Sequence, residues 1–334
     1  MKVVFVTSLL AGTASAWHAL IVQNKGGGHG ELGFQLAKKI ASEGHTCTLL
    51  QDTACKSESA PFSEYSTLPS SVTVEPHDFN LPYTPQTEYS YVWDNFSSNP
   101  ESPLTSSLLE HFKNSPPLRY NYISSAGIYS PPKDFGSDTC GPLLETFDVN
   151  PEKGQTKVEN ALKASKIPTF CYRPQYIYGP SQNKYVYLDY YFDRICNSLP
   201  LPIPGSGSQL ASLTNAVSVA SLLYCGKESH ESNFEVFNCG ASDLHTYNEI
   251  AELISEVVNK PVKIVNDIEG KGSFPFRPNN FYVKPSKIIK ELNWEELPTS
   301  LKSDLEWYYE DWKVRREGKE VDVEKDLEAM GSKA

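Results

Sequence analysis

Ala19-Leu20-Ile21-Val22 is an apolar run that leads, within three residues, into Gly26-Gly27-Gly28-His29-Gly30-Glu31-Leu32-Gly33 and then Phe34-Gln35-Leu36-Ala37-Lys38-Lys39-Ile40-Ala41. That order is strand, glycine turn, helix. Gly27, Gly30 and Gly33 fit the spacing G-x-x-G-x-x-G, in which the early glycines let the backbone turn tightly and approach a pyrophosphate. The last glycine lets helix and strand pack closely, and the phosphates would sit on the helix N-terminus. Leu36, Ala37, Ile40 and Ala41 recur at helical spacing, and Gly44 stops the helix. Thr46 to Asp52 then reads as a second buried strand ending in a carboxylate. Asp52 stands about 20 residues past the glycines, where an acid commonly holds the adenosine ribose hydroxyls and repels a 2'-phosphate, so NAD is expected rather than NADP. A glycine-rich surface turn is the alternative, and the flanking strands and helix weigh against it.

The chain has 334 residues, 39% of them hydrophobic, enough for one large domain or a large one with a smaller lobe. Its formal charge of -11 opposes loose adhesion to nucleic acid or an anionic membrane, so any polyanion site must be a local basic patch. Seven cysteines at irregular spacings make neither a disulfide framework nor a zinc site. Cys47, Cys171 and Cys239 lie in apolar runs and are expected to be small buried residues. No cluster of metal-ligand type is visible.

Residues 1–16 join a basic start at Lys2, an apolar run from Val3 to Leu10 and the small residues Ala14-Ser15-Ala16, the pattern of a cleaved signal peptide. Secretion would ordinarily follow, but the free cysteines argue against an oxidising destination. The junction before Trp17 resembles the bipartite plastid-targeting signals of algae with secondary plastids. Plastid stroma is therefore the expected location, with secretion as the alternative.

Strands are expected at Val72 to Val74, Tyr91 to Asp94, Tyr120 to Ser125, Thr169 to Tyr172 and Phe234 to Asn238, with helices between them. Asn150-Pro151 should open one helix, running to about Ser165. Strands alternating with helices imply right-handed crossovers and a parallel sheet. The expected fold is thus α/β: a doubly wound, Rossmann-type parallel sheet over 17–180 and a smaller C-terminal α/β lobe over 181–320. Some strands of the lobe return to the sheet, and 321–334 is a tail. After the first residues no apolar run is long enough to span a membrane.

Ile123 to Tyr129 and Arg173 to Pro180, together with the glycine turn, resemble an extended short-chain dehydrogenase/reductase of the NAD-dependent epimerase/dehydratase type. Pro202 to Leu210, Phe237-Asn238-Cys239 and Phe274-Pro275-Phe276-Arg277 resemble, more narrowly, the chloroplast stem-loop binding proteins, an atypical branch of that superfamily. The resemblance implies a bound dinucleotide held by Gly27, Gly30, Gly33, Asp52, Asn95 and Lys157. It further implies stem-loop RNA as partner, Mg2+-assisted cleavage, and association with ribosomes or transcription machinery. A homo-oligomer is also expected.

A dehydrogenase of this class needs a tyrosine four residues before a lysine, and a serine that polarises the substrate oxygen. Ser125 and Lys157 match the serine and the lysine. The tyrosine position is Lys153, and an ammonium cannot easily serve as the phenolate, so hydride chemistry is disfavoured. Tyr185, Tyr187, Tyr190, Tyr191 and Phe192, with Lys184 and Arg194, are placed to stack bases and meet phosphates, or else form helix core. Arg277, Lys284 and Lys287 make a second basic group, and Lys313, Arg315, Arg316 and Lys319 a third; each is either an RNA patch or a solvated face. Three functions stay open: an RNA-binding protein, a nucleotide-sugar epimerase, dehydratase or reductase, and a non-catalytic NAD-binding scaffold. Lys184, Arg194 and Arg277 are the expected RNA contacts.

Overall fold

Strand β1 (His18–Gln23) alternates its side chains between two helical layers, Ala19 and Ile21 to one side and Leu20 and Val22 to the other. Burial on both faces is the mark of a central parallel strand. Around it lie β2 (Thr46–Asp52), β3 (Val72–His77), β4 (Tyr91–Asp94), β5 (Arg119–Ile123), β6 (Thr169–Pro174) and β11 (Phe234–Cys239). They form a parallel sheet in the order β11-β6-β5-β4-β1-β2-β3. The computed structural model describes residues 16–23, 30–55, 58–130, 141–268 and 272–331. Gly27 and all but the last residue of the expected signal peptide lie outside them.

Helix α1 (Gly30–Ser42) packs on one face of the sheet through Leu32, Leu36, Ala37 and Ile40, beside α5 (Ala216–Tyr224) and α7 (Ser286–Leu292). The other face is covered by α2 (Pro103–Asn114) and α3 (Gly154–Ser165). Beyond β6 the chain builds a second core from α4 (Val186–Cys196), α6 (Tyr247–Val258) and α8 (Leu301–Arg316). Three two-stranded ribbons complete it: β7 (Ile177–Tyr178) with β10 (Thr214–Asn215), β8 (Pro200–Ile203) with β13 (Lys263–Asn266), and β9 (Leu210–Ala211) with β12 (His245–Thr246). Helix α6 shows the sequence logic of the lobe. Thr246 and Glu249 close a capping box, and Tyr247, Ile250, Ala251, Ile254 and Val258 bury one stripe.

Two expectations fail. The helix expected from Asn150-Pro151 begins at Gly154, because the Asn150 side chain accepts from the Glu152 amide at 2.9 Å and forms a separate turn. Gly154 also has a steric reason: a Cβ there would lie 1.9 Å from the Ser98 carbonyl oxygen. The stretch 321–334, expected as a tail, carries α9 (Glu324–Met330), which docks through Ala329 and Met330 on Ile268. No helix among the described residues is long and apolar enough to cross a membrane.

Candidate functional site

The strand order reverses at β1, whose neighbours are β2 on one side and β4 on the other. In an open parallel sheet, ligands bind in the crevice beyond the strand ends at such a point. Three amides line it here. Gln23 ends β1 in register with Gln51 of β2, and Asn95 follows β4. The Gln23 side chain donates to the Gly30 carbonyl and accepts from Asn95 Nδ2 at 3.3 Å, while the Tyr65 hydroxyl donates to Gln51. A Cβ on Gly33 would fall 2.1 Å from Gln23 Oε1, so the last glycine of the turn makes room for an amide. Asp52 is buried at the end of β2 and accepts from the Ala54 amide at 3.0 Å.

Asp52, buried at its strand end, fits the adenosine end of a dinucleotide, and the described part of the phosphate side begins with the first turn of α1, since the glycine turn before it lies outside the described residues. One residue in the first turn of α1 carries the wrong charge for a phosphate. Glu31 is fully buried; its Oε1 accepts from the Ser181 amide at 2.8 Å and from Gln35 Nε2 at 3.0 Å. Its Oε2 is buried with no hydrogen-bond partner among the described residues. Burial pushes the carboxyl up to about 7. The sequence reading passed over Glu31, although an acid between two fingerprint glycines was the signal.

Among the described residues no hydrogen bond joins the side chains of Ser125, Lys153 and Lys157; only the Lys157 backbone amide donates to the Lys153 carbonyl, at 3.1 Å. Ser125 Oγ accepts from the Gly127 amide at 3.0 Å. Lys153 is the exposed residue preceding α3, and Lys157 pairs with the exposed Glu152 at 3.3 Å. From the C-terminal lobe Arg277 reaches the loop that follows Ser125. Its guanidinium lies 3.6 Å from the centre of the Phe281 ring, and Nη2 donates to the Gly127 carbonyl at 3.2 Å. Among the described residues no carboxylate pairs with it, and burial draws its pKa down. Tyr176, held at a φ of 41°, accepts from the Arg277 amide at 3.2 Å and packs edge-on against Phe276 and Tyr187.

The other expected RNA contacts are engaged elsewhere. Arg194 is buried, its guanidinium bonded to Asp326 of α9 and to the Tyr190 carbonyl, so it presents no face to a phosphate. Leu188, Tyr190, Tyr191 and Phe192 are core, which closes them to stacking bases. Lys184 is half-buried over Tyr187, with Nζ 3.2 Å from its hydroxyl. Arg315 and Arg316 are taken up by Asp189, Asp193 and Asp311, and Lys287 by Glu235. Among the described residues no group of His, Cys, Asp and Glu side chains could hold a metal ion.

The fold is that of NAD-binding nucleotide-sugar enzymes. A UDP-glucuronic acid 4-epimerase from Bacillus cereus, solved with UDP-glucuronic acid and NAD, superposes with a TM-score of 0.65 at 17% identity, covering 89% of this chain and 99% of that one. A dTDP-glucose 4,6-dehydratase from Bacillus anthracis, solved with NAD, gives 0.67 at 14% identity, covering 91% and 99%. In sequence the chain is similar to the chloroplast stem-loop binding protein of 41 kDa b of Arabidopsis thaliana, 28% identical over 187 residues, 53% of this chain and 48% of that protein. It is also similar to a trifunctional UDP-glucose 4,6-dehydratase, epimerase and reductase of the same plant, 26% identical over 207 residues, 58% of this chain and 30% of that one. The matched region thus spans about half or less of these curated relatives. No protein-family model matches the chain.

Proposed function

We propose that this chain is a dinucleotide-binding protein that holds stem-loop RNA in the cleft beside Ser125, and that it does not oxidise or epimerise nucleotide sugars. The observation that carries the reading is Arg277, a half-buried guanidinium stacked on Phe281 with no carboxylate partner among the described residues. A desolvated cation without a counter-charge is costly, and a phosphate supplies that charge in the planar, two-pronged geometry guanidinium favours. The named activity of the Arabidopsis stem-loop binding protein supports RNA as the source of the phosphate. Lys153 in place of the acid/base tyrosine weighs against hydride chemistry.

NAD is the dinucleotide, through Asp52, and the plastid is the setting, in keeping with the relative's name. Assembly as a homo-oligomer, or with ribosomes or transcription machinery, and Mg2+-assisted cleavage rest on the same resemblance; no cleaving residue is assigned. The nucleotide-sugar reading keeps one observation in its favour, since a sugar diphosphate would meet the same guanidinium. The test is to incubate the protein with end-labelled stem-loop RNA, with and without magnesium, and resolve the products on a native and a denaturing gel. A retarded stem-loop band supports the proposal. An unshifted RNA at about 50 mM salt, where phosphate contacts are strong, rejects it.

A further inference from the structure

Lys184 stands two residues ahead of α4, and Tyr187 is the second residue of that helix. The Lys184 ammonium lies over the Tyr187 ring, 4.9 Å from its centre, and Nζ donates to the hydroxyl of the same tyrosine at 3.2 Å. Among the described residues no carboxylate pairs with it. The ring beneath is only partly buried and lies parallel to the fully buried Phe276, with 5.6 Å between centres and 7° between planes. Tyr176 meets these two rings edge-on, at 5.3 and 4.7 Å, and its hydroxyl accepts from the Arg277 amide. Arg277 directly follows Phe276. Two cations without a carboxylate partner among the described residues therefore flank one aromatic group, and one of them is the guanidinium that reaches Gly127. Val186, between Lys184 and Tyr187, leaves an apolar side chain exposed.

We infer that Tyr187 is a stacking platform for one unpaired nucleobase and that Lys184 is its latch: the ammonium covers the ring in the free protein, and on binding it leaves the ring for the nucleotide's phosphate while the base takes the ring face. The inference deepens the RNA reading of the cleft and rests on it. A partly exposed ring holds an ammonium weakly, whereas a phosphate offers it a full negative charge. Lysine suits such an exchange, because its flexible four-carbon stem carries a point charge that needs no fixed donor plane. The platform itself stays in place, since Phe276 and Tyr176 pack against it. Every base has a π-face, so stacking there is tolerant of sequence, but a base paired inside a duplex cannot reach the ring. The occupant is therefore an unpaired loop nucleotide.

The test uses the full chain and a stem-loop RNA with a single 2-aminopurine in its loop, whose fluorescence is quenched by stacking. Anisotropy of the same RNA gives affinity across a salt series, and calorimetry with UDP asks whether a free nucleotide uses the same place. Wild type and Tyr187→Phe should quench the probe alike. Tyr187→Leu should bind about tenfold more weakly, the scale of one stacked base, without quenching and with an unchanged salt slope. Lys184→Gln should keep the quenching and lower the slope by about 0.7. RNA bound by wild type without quenching, or quenched equally by Tyr187→Leu, overturns the platform and leaves the RNA reading standing. An unchanged slope for Lys184→Gln overturns the latch. If wild type binds no RNA at about 50 mM salt but binds UDP more tightly than Tyr187→Leu does, the RNA reading falls and the platform stands for a free nucleotide. Binding of neither overturns both. Where circular dichroism shows Tyr187→Leu unfolded, wild-type quenching and the Lys184→Gln slope decide.

Discussion

Arg277 of the C-terminal lobe reaches the carbonyl oxygen of Gly127 at 3.2 Å, two residues from Ser125 in the loop that follows β5. One side chain thus joins the two halves of the protein across the cleft. Among the described residues it donates one side-chain bond in doing so, and the proposed phosphate would take other N–H groups of the fork.

Arg277→Ala should therefore weaken stem-loop binding by roughly tenfold, the scale of one charge-assisted hydrogen bond, and lower the salt slope by about 0.7. Filter binding across a salt series checks both. A lower affinity with an unchanged slope would assign Arg277 to lobe closure and not to a phosphate.

The Arg194–Asp326 pair is structural. Replacing Arg194 by alanine strands a buried carboxylate and frees α9, and should cost about 3 to 5 kcal/mol of stability in urea unfolding. RNA affinity of the folded fraction should not change. A variant of normal stability with weakened RNA binding would restore Arg194 as a contact.

Glu31 also links stability to pH. With a folded value of about 7 against an ordinary value of 4.5, the native state holds a proton that the unfolded chain has released between those limits. Stability from this group is highest below about pH 4.5, falls as pH rises to 7, and stays lower above, a loss of about 3 kcal/mol. Glu31→Gln should remove that decline, and urea midpoints at pH 5 and pH 8 measure it.

Much of the large sheet was legible because its strands are continuous apolar runs and its first crossover carries glycines at fixed spacing. β2 has the bounds its pattern predicts. The candidate site was legible only where chemistry is written locally, as at Asp52, Ser125 and Lys153. Arg194 and Arg277 look alike in sequence, each a basic residue near aromatics. What separates them is Asp326, 132 positions after Arg194, on a helix whose short amphipathic pattern reads as a polar tail. Glu31 was missed for a different reason: its meaning depends on Ser181 and Gly179, which only the folded chain brings against it.

Purified protein should turn over common UDP- and dTDP-sugars far more slowly than the order of 1 per second typical of enzymes, because Lys153 cannot supply the phenolate. A coupled epimerase and dehydratase assay with added NAD checks this, and enzyme-like rates would favour the nucleotide-sugar reading.

The central claim is tested most directly by fluorescence anisotropy of a labelled RNA stem-loop titrated with wild type and Arg277→Ala, against a plain duplex of equal length, at several salt concentrations. The account predicts that wild type prefers the stem-loop, since an A-form groove cannot be read by side chains, with a shallow salt slope that Arg277→Ala lowers. Equal binding of loop and duplex, or identical affinity and slope for the two proteins, would contradict it.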